Sequence, residues 1–144
     1  MITNMEERDG SEAAQLIQAA YAPSPWNEHW TLENGIARIQ QLLSTPNRIA
    51  LKAVRDNQLI GFAVGLPHHN HRGRAIYLDE LCILPKAQRG GTGASLLEAM
   101  EARARSAGFF GIWLVSQTYG ATASFYQSNN YVNSTRLAVY TKSL

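Results

Sequence analysis

Apolar and polar residues recur along this chain in short blocks with clear boundaries. Residues 2–5 read as a brief first strand. Asp9-Gly10-Ser11 supplies a turn and an N-cap. Ala13, Leu16, Ile17, Ala20 and Tyr21 then repeat with the i, i+3, i+4, i+7 spacing of an amphipathic helix, which Pro23 and Pro25 end. Thr31 caps a second helix with Leu32, Ile36, Ile39 and Leu43 on one face, stopped by Pro46-Asn47. Residues 49–54 and 58–66 are strand-like on either side of Asp56-Asn57, a predicted hairpin. A polar loop is expected over 67–73 and a strand over 74–84. Residues 93–107 follow as a helix with Leu96, Leu97, Met100 and Ala104 inward, ended by Gly108. A strand over 112–115, a short helix over 121–128 and a last strand over 131–141 complete the chain. The order β-α-α-β-β-β-α-β-α-β predicts an α/β (α+β) fold, a mixed sheet flanked by helices. With no repeats, low-complexity tracts or linkers, residues 1–144 are expected to form one domain.

Composition narrows the classes. Hydrophobic residues make up 45% and charged residues 17%, an ordinary globular balance. A net charge of +2 is too small to argue for nucleic acid or a membrane surface. A pI near 8.9 suits an anionic ligand without specifying one. The single Cys82 excludes an internal disulfide framework and fits a reducing, cytoplasmic setting. No apolar run is long enough for a membrane span, and the first residues lack the basic region and apolar core of a signal peptide.

The chemistry concentrates at Gln88-Arg89-Gly90-Gly91-Thr92-Gly93-Ala94, between a predicted strand and a predicted helix. Glycines let backbone approach a ligand, and the free N–H groups and dipole of a helix N-terminus favour an anion, so a diphosphate is the expected ligand. The dinucleotide spacing G-x-G-x-x-G fails, because position 96 is Leu. The nucleotide P-loop fails too, since Ala94-Ser95 follows Gly93 where a Lys is needed. What remains is Q-x-x-G-x-G at Gln88, Gly91 and Gly93.

Taken in order, Leu81-Cys82-Ile83-Leu84-Pro85, that turn, the amphipathic helix, a strand and the run Ala-Ser-Phe-Tyr-Gln-Ser-Asn-Asn-Tyr-Val at 123–132 resemble the GNAT superfamily of acyl-CoA-dependent N-acetyltransferases. The match covers residues 49–132. The resemblance implies a mostly antiparallel twisted sheet, splayed where acyl-CoA binds. Acetyl-CoA is then the co-substrate, its pyrophosphate on the turn formed by Gln88, Arg89, Gly90, Gly91, Thr92, Gly93 and Ala94. Arg89 either adds charge there or is a solvated loop cation. The pantetheine arm would pair with backbone at Leu81, Cys82 and Ile83 like an added strand. Cys82 as an acyl-carrying nucleophile is the competing reading of that residue, against a small buried hydrophobe.

The resemblance further assigns Tyr126 as the general acid for the leaving thiolate. Asp79 and Glu80 are base candidates, beside a water chain. Neighbouring strand residues point to opposite faces, so only one should reach the acceptor unless a bulge intervenes. The alternative is that these carboxylates pair with Arg72 or Arg74. Tyr119 stands where the family often has a cofactor-contacting Asn, and Asn129-Asn130-Tyr131 replaces a more usual Gly-Phe. The acceptor wall would come from the helix connection 21–30, with Trp26, Glu28 and Trp30, and from Tyr77 on the adjoining strand. Aromatic faces and a carboxylate suit a small cationic amine. An idle acyl-CoA-binding module, and an acetyltransferase of protein N-termini or lysines, are the other readings. His68, His69 and His71 lie in a polar stretch without a neighbouring carboxylate or Cys, and no metal is expected. A homodimer is carried over from the family, with no nucleic-acid or membrane partner.

Overall fold

Local turns assemble the sheet. In the computed structural model, which describes residues 1–144, β2 (Ile49–Arg55) and β3 (Gln58–Asn70) are joined by Asp56 and Asn57 with φ of 50° and 59°. Two left-handed residues match the twist of the strands they connect, and Asp and Asn tolerate that conformation. β1 (Ile2–Asn4) pairs antiparallel with β2, and β4 (Gly73–Ile83) pairs antiparallel with β3. β5 (Ile112–Trp113) pairs parallel with β4 through Ile76 and Tyr77, giving the order β1-β2-β3-β4-β5.

The polar stretch at 67–73 is not a loop. β3 runs on to Asn70 and pairs with β4 down to Gly73, leaving a two-residue turn at His71 and Arg72. Pro67 is tolerated for a geometric reason. Its partner Ile76 donates to Gly111 O at 2.9 Å, away from β3, so Pro67 sits at a pair that exchanges no ladder bonds.

Helices cover both faces of the sheet. α1 (Gly10–Tyr21) and α2 (Leu32–Leu43) bury Leu16, Ile17, Ile39 and Leu42 with Phe62, Val64 and Cys82. Thr31 caps α2 as expected, its Oγ1 accepting from Asn34 N–H at 3.0 Å. Asp9 serves otherwise. Its carboxylate accepts from Glu6 N–H and from Lys52 Nζ, so it ties α1 to β2 without capping the helix. On the other face, α3 (Thr92–Ser106) buries Leu96, Leu97, Met100 and Ala104. It ends at Gly108, φ +83°, where Gly108 N–H bonds to Arg105 O and Phe109 N–H to Ala104 O, a Schellman closure. No helix is long and apolar enough to cross a membrane.

Contacts divide the chain into two compact units, Met1–Leu114 and Val115–Leu144. The elements above lie in the first. The second holds α4 (Gly120–Ser128), followed by chain without regular structure. The last strand predicted over 131–141 is therefore absent, and the strand predicted over 112–115 shrinks to Ile112–Trp113. Leu137, Val139 and Tyr140, apolar residues of that stretch, are all exposed. A strand exists only through its ladder bonds, and α4 is the only regular element of this unit.

Candidate active site

The phosphate-cradle geometry is present at the start of α3. Gly91 adopts φ +84°, and its carbonyl takes the first helical bond, from Ser95 N–H at 3.0 Å. The N–H groups of Thr92, Gly93 and Ala94 precede that bond and have no acceptor within the helix. A Cβ built on Gly91 would meet nothing within 4 Å, so the space in front of this turn is open to a ligand. Arg89, φ 64°, is exposed beside it. Gln88 reaches back, its Nε2 donating to Ile83 O at 3.1 Å, which ties the turn to the end of β4. These residues fit a diphosphate: unpaired donors, a dipole of the right sign and room.

β4 supplies the adjoining edge. β5 pairs only at Ile76 and Tyr77, so the rest of β4 has no β5 partner. Leu84 donates inward to Ile60 O at 2.8 Å. Alternation then turns the backbone of Cys82 inward as well and that of Leu81 and Ile83 outward. Cys82 is thus not one of the edge donors. Its side chain is 1% exposed in the core, and burial, with Glu80 nearby, pushes the thiol pKa well up against a lowering hydrogen bond from Tyr21. A thiol held in that state is no nucleophile.

The carboxylates depart from simple alternation. The β3–β4 register passes from Val64↔Glu80 to Gly65↔Leu78, leaving Asp79 as the extra residue of a bulge. Both carboxylates thereby reach one cation, Arg38 of α2. Its guanidinium meets Asp79 Oδ1 at 2.7 Å and Glu80 Oε2 at 3.4 Å, and donates to Asp79 O at 3.2 Å. Tyr21 Oη donates to Glu80 Oε1 in a short hydrogen bond. Arg72 and Arg74, the partners of the alternative reading, instead lie over Phe110 and Phe109 at 4.6 and 4.3 Å. They lie beyond the bulge, at the end of the ribbon where β3 turns into β4.

Burial raises the pKa of Glu80, only 9% exposed, against the lowering effects of the Tyr21 hydrogen bond and Arg38; Asp79 adds to the rise. Burial disfavours the Arg38 charge, but its bond to Asp79 and the attraction of both carboxylates outweigh this and raise its pKa. Burial, then Asp79, raise that of Tyr77. For Glu80 the folded state holds a proton more tightly than the unfolded chain. Its contribution to stability is therefore complete below the unfolded value of about 4.3 and is lost as pH rises through the folded value. Glu80→Gln should remove that slope, so the variant gains on the wild type as pH rises through this window. Urea titrations at a series of pH values measure it; a constant difference would mean that Glu80 titrates normally.

The aromatic residues of the connection 21–30 and of β4 have defined neighbours. Trp26 packs edge-on against Tyr21 at 5.5 Å, which links it to Glu80 through the Tyr21 hydroxyl. Glu28 is engaged locally, accepting from Trp30 Nε1 at 2.8 Å, while Trp30 O accepts from Gln18. Tyr77 stacks with Trp113 at 4.4 Å and with His68 at 5.7 Å, so His68 belongs to an aromatic cluster. In the second unit, Tyr119 precedes α4 and is 82% exposed. Tyr126 lies on α4 with its ring 5.1 Å from Phe125 and 5.7 Å from Tyr131.

Residues 12–131 match the family model of the acetyltransferase (GNAT) family. The chain belongs to the GNAT acetyltransferase family. Solved structures with the same fold include an aminoglycoside N-acetyltransferase in complex with CoA, 16% identical, TM-score 0.80, covering 100% of this chain and 95% of that one. An aminoglycoside 6'-N-acetyltransferase from Acinetobacter haemolyticus is 14% identical, TM-score 0.80, covering 100% and 99%. An aminoglycoside acetyltransferase from an uncultured soil metagenomic sample, in complex with trehalose, is 18% identical, TM-score 0.78, covering 100% and 95%. No curated protein sequence matches significantly. In this GNAT chain the residue missed from sequence was Arg38. A signal existed: Arg38 is three residues from Gly35 and four from Leu42, both buried, and adjacent carboxylates in an apolar strand demand a cation.

Proposed function

We propose that this GNAT chain, read as one acetyltransferase domain over residues 1–144, moves an acetyl group from acetyl-CoA to a primary amine by direct attack. The observation that carries this reading is the open Gly91 cradle tied through Gln88 to the end of β4, the strand that also bears the bulged Asp79-Glu80 pair. CoA complexes of structural neighbours support the donor. Acetyl-CoA supplies an activated carbonyl and a thiolate leaving group. The chain's part is to bind the diphosphate at residues 88–94, to accept the amine proton at Glu80, directly or through water, and to return a proton from Tyr126.

A small cationic amine is the favoured acceptor. Asp79 and Glu80 together outweigh the one charge of Arg38, and the aromatic rings of Trp26 and Tyr21 extend from the same cluster. Three neighbours named as aminoglycoside acetyltransferases support this class. The test is thiol release from acetyl-CoA with polyamines, aminoglycosides, amino acids and short peptides. Release is expected with the multiply charged amines. Release with peptides alone would move the acceptor to protein amines, and tight CoA binding without release would favour an idle binding module.

A further inference from the structure

We infer that Arg38 is a positioning residue for acetyl transfer: its guanidinium straddles the bulge at Asp79, favours the charged form of the Glu80 carboxylate and orients it to take the amine proton. This rests on the acetyl-transfer reading above and adds to it a residue on α2, an element to which the sequence reading assigned no site residue.

The geometry differs from an ordinary ion pair. A bulge leaves one residue out of the ladder, and here Arg38 takes the Asp79 backbone carbonyl at 3.2 Å together with its side chain at 2.7 Å. The same guanidinium then reaches Glu80 Oε2 only at 3.4 Å. The clamp is therefore tight on the bulge and loose on Glu80. Glu80 has one donor on each oxygen, Tyr21 from α1 and Arg38 from α2. An ionised carboxylate offers about four acceptor sites, so capacity for a substrate proton remains. The other groups around Glu80 do not help its charge: Asp79, next to it on the strand, opposes it, and Val64, its partner on β3, is apolar. Arg38 is the one cation in this set, and α2 is fixed to place it, through the Thr31 cap and the buried face of Gly35, Ile39 and Leu42.

Arg38→Gln removes the charge and keeps much of the bulk; Arg38→Lys keeps the charge and loses the fork. Each would be assayed as kcat/KM against pH with the amine that thiol release identifies. In parallel, the Glu80 carboxyl carbon would be titrated by NMR in labelled protein, assigned by its loss in Glu80→Gln. In R38Q the acid limb and the Glu80 titration are both expected to move up by about one pH unit or more, the usual effect of losing an adjacent opposite charge. In R38K both should return most of the way towards wild type. An acid limb that stays in place while activity falls equally at every pH would overturn the assignment. A Glu80 titration unmoved in R38Q would overturn it whatever the activity. Absence of turnover with every amine is a separate failure, of the acetyl-transfer reading, and leaves the NMR measurement valid.

Discussion

Gly91→Glu is expected to weaken acetyl-CoA binding severely while the protein still folds. The side chain meets no steric obstacle, since a Cβ there has nothing within 4 Å. The φ of +84° makes any L-residue strained, by about 1–2 kcal/mol, which a folded domain tolerates. The new carboxylate would stand before the N–H groups of Thr92, Gly93 and Ala94, satisfy them itself and repel a phosphate. Like charges brought together cost several kcal/mol, so affinity should fall by roughly 10²-fold or more. Gly91→Ala carries the same backbone strain without the charge and should lose far less. Calorimetric titration with CoA, beside a thermal melt of each variant, separates the two contributions. Normal CoA binding by the Glu variant would remove the diphosphate from this turn.

Tyr126→Phe should lower turnover by roughly 10²-fold, the usual contribution of one general acid, with CoA affinity nearly unchanged. The ring contacts of Tyr126 with Phe125 and Tyr131 are aromatic and survive the change, so the substitution isolates the hydroxyl. Steady-state kinetics with saturating amine would measure it. Turnover equal to wild type would take the acid role from Tyr126 and transfer it to solvent or another donor.

Much of the scaffold was legible from the chain alone because it depends on near neighbours. Thr31 as a cap, the Asp56-Asn57 turn, Gly108 as a stop and the inward set Leu96, Leu97, Met100 and Ala104 all follow from local hydrogen bonding or from a period of 3.6 residues. The Gly91 turn belongs to the same class, since a glycine run ahead of an amphipathic helix limits what the backbone can do there. The expectations that failed were those needing a partner. The stretch 67–73 looked like a loop from its polar residues and Pro67, and became strand because β4 lies opposite it. The stretch 131–141 was expected as a last strand, and did not become one because it has no ladder partner.

The carboxylate site divides along the same line. From sequence, Asp79 and Glu80 were visible as two acids in an apolar strand, which requires compensation but does not name its source. Alternation would have sent them to opposite faces, and only the β3–β4 register reveals the bulge that brings both to one cation. Arg38 is 41 residues from Asp79 along the chain, and Tyr21 is 59 from Glu80. Sequence by itself determined the helices, the hairpin turn and the glycine cradle, because each is set by interactions within a few residues. Tertiary structure alone decided which charges meet, because a bulge and a helix packed across it are properties of how distant segments pair.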